Sequence, residues 1–329
     1  MLRSLRDGCH SLGLNWGLVV LVLATNLAMA LVLASPLALQ LDKDLVHRGA
    51  SSAMMYGFDY DWWSAWSEQQ QQGPESALSP EILGTGFMLK NLELLLKGWL
   101  PLGLFARGGS APAPVDPVTL GLGGLYLVLQ AFLTGGLVSV FRRPRGGWTL
   151  RGLVHGCGFY FGRMARLSLL ALVAAGLLFA LNVPFAAAVD RVAREAVSGR
   201  SAVLLTLGRH ALLLVGLLLL HMVVSHARVL LVRVERLSVV LAALSSLGFC
   251  ARRLAAASGQ YLVIAALGGV LLALFGLLDS WLVVVGYKTQ LVALVLFEAF
   301  MAARIALRLW LLAAQVELQR EPGRGSGLP

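Results

Sequence analysis

Long apolar runs constrain this chain more than any other feature. They lie at about residues 15–39, 118–141, 167–189, 203–225, 260–285 and 289–313, and each reaches the roughly 20 residues that a helix needs to cross a hydrocarbon core about 30 Å thick. Backbone amides in lipid must be satisfied inside the protein, and the runs lack the alternation of barrel strands, so helices are the spanning structure left. The expected fold class is all-α: a polytopic membrane protein with six transmembrane helices arranged as three hairpins. Composition agrees, with 58% apolar and 13% charged residues, against about 25% charged in soluble domains. A soluble fold, a disordered chain and a disulfide scaffold are excluded, the last because three Cys cannot pair completely.

Basic residues set the orientation. Arg3 and Arg6 precede the first span; Arg142, Arg143, Arg145, Arg151, Arg163 and Arg166 lie between the second and third; Arg228, Arg233, Arg236, Arg252 and Arg253 lie between the fourth and fifth; Arg320 follows the last. Acidic residues crowd instead into the only large hydrophilic loop, 40–117. The positive-inside bias then places both termini in the cytoplasm of a bacterial inner membrane. The net charge of +10 is accounted for by arginines facing anionic lipid, each contributing about 1 kcal/mol. Membrane lipids, anionic at the inner face, are therefore the expected partners; nucleic acid is not, and no protein partner is indicated.

The apolar stretch of the first span is longer than the about 7–15 residues of a signal-peptide core, so it is expected to stay as an anchor. Segment 84–106 is interrupted by Lys90, Glu93 and Lys97, while Leu89, Leu92, Leu96 and Trp99 repeat at helical spacing. It is expected to lie on the outer surface as a helix, leaving the span count even. Residues 1–321 form a single integral membrane domain, and the tail 322–329 is expected to be disordered.

A short amphipathic stretch precedes each odd-numbered span: 1–14, 147–166 and 228–253. In the second, Arg151, His155 and Arg166 share one face and Leu150, Val154 and Phe161 another. Arginine beside an apolar face suits a helix lying in the membrane plane, here on the cytoplasmic side. Cys9, Cys157 and Cys250 occupy comparable places, each roughly ten residues before a span. The expectation is three repeats of an in-plane helix followed by a transmembrane hairpin, in approximate threefold arrangement. The thiols lie in the reducing compartment and serve as small apolar packing; a three-thiolate metal site is the sharper alternative.

Ionisable groups inside lipid are costly and mark functional candidates. Glu298 sits near the middle of the last span, with Arg304 and Arg308 following on one face. Either Glu298 is a proton or cation site, or it pairs with an arginine of a neighbouring helix while Arg304 and Arg308 reach the interface. The fourth span carries Arg209, His210 and His221. The two histidines are eleven residues apart, about 16 Å along the axis at 1.5 Å per residue, too far for one metal. Hydrogen bonding between helices is their expected role, and His221 with Ser225 forms a closer pair four residues apart. Outside, Asp59, Asp61, Trp62 and Trp63 belong to an aromatic and acidic string, either a headgroup belt or a surface for a lipid, glycan or peptide. No metal is expected, since zinc spacings such as H-E-x-x-H are missing. No cofactor or catalytic residue is expected either: there is no Walker A, and no nucleophile stands at plausible spacing from a base.

Several strings carry a resemblance: FLTGGLVSVF at 132–141, FYFGRMARL at 159–167, HARVLLV at 226–232 leading into LSVVLAALSSLGFCARR, and LWLLAAQ at 309–315. They resemble a family of bacterial multi-pass inner-membrane proteins of unassigned activity. The helix order is also similar to the six-span membrane domain attached to some glycerophosphodiester phosphodiesterases. The resemblance implies architecture and an envelope location, but no activity. Similar sequences carry an acidic residue just before the ARV string, where this chain has Ser225 and His226. The expected function is a non-enzymatic transport or envelope-assembly component. The alternatives are a transporter of a lipid or small amphiphile, with Glu298, Arg304 and span four lining its route, and an intramembrane enzyme.

Overall fold

The structure is a computed structural model that describes residues 1–45, 61–62, 64–65, 117–143, 147–195, 198–235, 238–282 and 287–320. The described chain is helical: α1 (Leu2–Leu14), α2 (Gly17–Leu45), α3 (Pro117–Phe141), α4 (Leu150–Glu195), α5 (Gly199–Arg233), α6 (Val239–Arg252), α7 (Leu254–Trp281) and α8 (Tyr287–Arg320). Five of these, α3, α4, α5, α7 and α8, are long and apolar enough to cross a membrane. The number becomes six if α1 and α2, broken at residues 15–16, count as one span. Leu169, Leu172, Val203 and Leu212 on α4 and α5 are among many large apolar side chains left exposed. Such outward apolar faces belong in lipid, because in water they would form patches far larger than a soluble monomer carries. Segment 84–106, most of the 40–117 loop and the tail fall outside the described residues.

Two of the expected in-plane stretches are built differently. The stretch 147–166 is not a separate in-plane helix; it runs unbroken into the following apolar run as α4, whose 46 residues extend about 69 Å at 1.5 Å per residue. Arg163, Met164, Ala165 and Arg166 are all good helix formers, so nothing in the sequence stops the helix there. Its start is set by Thr149, whose Oγ1 accepts from the Gly152 N–H at 3.2 Å. The stretch 228–253 is divided instead. Residues up to Arg233 prolong α5, and α6 begins after Ser238, whose hydroxyl accepts from the Leu241 N–H at 3.2 Å.

The chain divides into two compact units. The first holds described residues within 1–15, 94–262 and 310–329: α1, α3, α4, α5, α6, the start of α7 and the end of α8. Small residues let its helices approach closely. A Cβ on Gly136 of α3 would lie 2.7 Å from the Leu153 carbonyl oxygen and against Cys157 of α4, and one on Gly8 of α1 would lie 2.6 Å from the Ala314 nitrogen of α8. Such contacts bring backbones together where dispersion supplies the packing energy that hydrophobicity cannot supply in lipid. The third contact of this kind is polar: the Ser246 hydroxyl of α6 donates to the Val223 carbonyl of α5 at 2.6 Å. Met222, Cys250, Ala257 and Tyr261 form a buried cluster beside it, with Phe249 and Leu311 packed around.

Three helix C-termini in this unit are tied by reciprocal arginine caps. Arg142, just past α3, donates from Nη1 to the Val232 carbonyl of α5 at 2.7 Å. Arg233, the last residue of α5, donates to the Gln319 carbonyl of α8. Arg320, the last residue of α8, donates from Nη2 to the Phe141 carbonyl of α3 at 3.1 Å and to that of Arg142. Each helix end thus receives a guanidinium from another, and the circuit closes. The last carbonyls of a helix lack internal donors and carry partial negative charge, so cationic caps there satisfy both the hydrogen bond and the dipole. Each arginine follows a buried valine by four residues: Val138, Val229 and Val316. Those six side chains, with Val232, line a cavity of about 370 Å³.

The second unit holds described residues within 16–93 and 263–309: α2, the remainder of α7 and most of α8. Phe275 packs against Phe300 with ring centroids 4.5 Å apart and meets Phe297 edge-on at 6.4 Å. Aromatic contact of this kind joins α7 to α8 within the unit.

The close approach at Gly136 makes a direct prediction. Gly136→Leu should lower the unfolding free energy of the detergent-solubilised protein by about 1–3 kcal/mol through overpacking. Gly208→Ala, where the added Cβ meets nothing within 4 Å, should leave stability unchanged or raise it by about 0.5–1 kcal/mol. Equal losses at the two sites would contradict the packing described.

Candidate functional site

The polar centre of the first unit lies on the C-terminal part of α8, where Gln315 and Gln319 stand one turn apart and are both buried. Four groups form a directed chain. The Ser225 hydroxyl of α5 donates to Gln315 Oε1 at 2.6 Å, and Gln315 Nε2 donates to the Tyr261 hydroxyl of α7 at 3.0 Å. Tyr261 then meets His221 Nδ1 of α5 at 3.2 Å, with the two rings edge to face. With the His221 proton on Nε2, every link has a donor facing an acceptor.

One turn further on, the Gln319 amide nitrogen lies 3.0 Å from the His226 carbonyl and 3.2 Å from its Nδ1. His226 is fully buried and its ring packs on Phe249 at 5.3 Å. On the other flank, Gln260 of α7, also fully buried, donates to the Ala314 carbonyl at 3.1 Å and to the Ser4 hydroxyl of α1 at 3.0 Å. Trp310 Nε1 donates to the Leu5 carbonyl at 2.8 Å. Asn15 completes the attachment of α1, since its Oδ1 accepts from the Trp148 N–H at 3.1 Å. The arrangement ties α1, α5, α7 and α8 together through neutral groups, which avoids the cost of burying an ion. It can fix the register of four helices and align a row of hydroxyl, amide and imidazole groups.

The residues singled out from sequence are distributed differently. His221 belongs to the network. Arg209 and His210 form a separate cluster: Arg209 pairs with Asp190 of α4 at 3.0 Å and donates to His210 Nε2 at 3.1 Å, while His210 Nδ1 lies 2.9 Å from the Thr206 carbonyl. Arg209 thus joins α4 to α5, whereas the contacts of His210 stay within α5. Glu298, Arg304 and Arg308 lie in the second unit. Glu298 is half-buried and forms no ion pair among the described residues; Arg304 and Arg308 are exposed, and Arg304 rests over Phe300 at 5.9 Å. Asp61 is exposed and Trp62 half-buried, while Asp59 and Trp63 lie outside the described residues. Cys157 and Cys250 are buried as expected of packing thiols, but Cys9 is exposed. Among the described residues no three His, Cys, Asp or Glu side chains converge.

No family model, curated protein or solved structure matches the chain.

Sequence reasoning passed over Gln260, Tyr261, Gln315 and Gln319. Charge is the plainest mark of a site in lipid, and these groups are neutral; Gln315 and Gln319 also lie beyond residue 313, where the last apolar run ends. A signal did exist, in two glutamines spaced four residues apart on a helix that continues to Arg320.

The Ser225 to Gln315 bond can be measured in isolation. A double-mutant cycle with Ser225→Ala and Gln315→Leu, read by reversible unfolding in detergent, should give a favourable coupling between about 0.6 and 1.7 kcal/mol, the average and upper range for hydrogen bonds between membrane helices. Strict additivity would show that the bond contributes nothing.

Proposed function

We propose that this chain is a non-enzymatic component of the bacterial cytoplasmic membrane, serving transport or envelope assembly from its inner face, with both termini in the cytoplasm. The observation that carries the reading is the ring of Arg142, Arg233 and Arg320, which gathers the ends of three apolar helices and the cationic charge at one end of the first unit. By the positive-inside bias such an end faces the cytoplasm. Docking of α1 against the same end, through Gly8 and Trp310, supports an N-terminus on that side.

The same contacts support three hairpins, each entered through a short helical segment that packs on another helix. The first turns of α4 pack on α3, α6 packs on α5, and α1 packs on α8. This order of packing is compatible with an approximate threefold repeat of the three hairpins. The solvent-facing residues Leu241, Leu244 and Leu247 of α6 give that helix an apolar face for the inner leaflet. The resemblance to bacterial inner-membrane proteins belongs with this reading. Transport of an amphiphile past Glu298 and Arg304 is the second reading; the cavity at the arginine ring is lined by other residues.

Two measurements test the proposal. A membrane-impermeant maleimide should modify Cys9 in inverted vesicles and not in intact cells, because Cys9 is exposed. Cys157 and Cys250 should stay unmodified in both until the protein is denatured. They are buried, and burial outweighs the Ser246 hydrogen bond in pushing the Cys250 thiol above its usual range, leaving little thiolate at neutral pH. Labelling of Cys9 from outside would overturn the orientation. For the activity, cross-linking in cells followed by mass spectrometry should recover transport or envelope-assembly subunits in defined proportion. Turnover of a lipid by the purified chain alone would overturn the non-enzymatic reading.

A further inference from the structure

A cleft of about 380 Å³ opens beside the arginine ring, between the end of α3, the first turns of α4 and the residues that follow α5. This volume lies at the lower end of the range of about 300–1,000 Å³ typical of small-ligand sites. Its polar lining includes Arg142, Arg143 and His155; the Ser139 hydroxyl donates to the Gly136 carbonyl, and the Tyr160 hydroxyl faces the Val232 carbonyl and Glu235. The single acid, Glu235, is already engaged, lying 3.3 Å from Arg142 Nη1 and 3.5 Å from the Tyr160 hydroxyl. Arg143 takes no part in the capping ring, and its guanidinium reaches over Gly152 in the first turn of α4. The positive dipole of that helix end adds to the same field. Phe159 forms an apolar wall, with the His155 ring stacked beside it at 6.2 Å and Phe159 itself exposed.

We infer that this cleft binds a phosphate-bearing anion, with the phosphate oxygens held by Arg143, His155 and the free face of Arg142, and the organic part against Phe159. Planar guanidinium groups match phosphate oxygens in pairs, which favours phosphate over a monovalent halide. Basic pockets between membrane helices recognise anionic headgroups through the same chemistry. The phosphate can belong to a lipid headgroup or to a soluble phosphate ester. The inference goes beyond the proposed function, because it stands on the geometry of the cleft and holds whichever way the chain is oriented.

The test uses the full chain in a neutral detergent, with native mass spectrometry as the readout. Phosphatidylglycerol should remain bound, and diacylglycerol, which lacks the phosphate, should not. Arg143→Gln combined with His155→Gln should weaken phosphatidylglycerol binding by about tenfold, the loss expected for removing one charge-assisted pair. Arg143→Gln alone, at an exposed residue outside the ring, should give a smaller loss with an unchanged melting temperature, which separates binding from folding. Displacement of the lipid by glycerol phosphate would assign one cleft to both sources. Binding of glycerol phosphate without any lipid retained, and sensitive to the same variants, would assign the soluble source. Equal retention of diacylglycerol, or binding of every phosphate probe unchanged in both variants, would overturn the site.

Discussion

A helix that ends at the edge of a membrane leaves carbonyls without donors, and this constraint organises the first unit. Three helices meet there with their C-termini together, an arrangement in which partial negative charges would repel one another. Arg142, Arg233 and Arg320 answer it by reaching across rather than along, each onto a carbonyl of a different helix. The caps supply donors, neutralise the helix ends and fix the helices at one height. Lysine could supply the charge, but it lacks the planar fork that lets Arg320 serve two carbonyls, of Phe141 and Arg142, from one nitrogen while Nη1 meets Glu317.

The layers above and beside the ring follow from it. With the helix ends held, Gln315 and Gln319 on α8 come level with Ser225 and His226 on α5, and neutral hydrogen bonds close the gap. Gln260 and Trp310 then tie α1 to α7 and α8. Close approach at Gly8 seats α1 on α8, and close approach at Gly136 seats the first turns of α4 on α3. A cleft of cationic lining forms beside the ring because Arg143 follows Arg142 and is not used by it. Structure and proposed binding thus share one source, an excess of guanidinium groups at one end.

Much of this architecture was legible in the sequence, for a physical reason. The apolar runs are governed by bilayer thickness, so each falls on one of α2, α3, α4, α5, α7 and α8, with six of the twelve ends within four residues. The larger differences are extensions, as at Arg233 and Arg320, where polar residues continue a helix because a neighbouring helix satisfies them. The buried site was less legible. Intramembrane charge drew attention to Glu298, Arg304 and Arg308, whereas the network is built from glutamine, serine and tyrosine, whose partners lie up to 256 positions away, as for Gln260 and Ser4. The recurrence of valine followed four residues later by arginine was present in the sequence, but it takes on meaning only when the three helix ends are seen to converge.

The central claim is that the three arginines act as one closed circuit. It is tested most directly by Arg142→Lys, Arg233→Lys and Arg320→Lys, made singly, in pairs and together, with unfolding free energy measured in a neutral detergent. Each single change should cost about 1–3 kcal/mol, the loss expected for a charge-assisted bond to a helix end. Later changes should cost markedly less than the first, because a broken circuit leaves less to lose. Small, strictly additive losses would contradict the account and reduce the ring to three independent surface contacts.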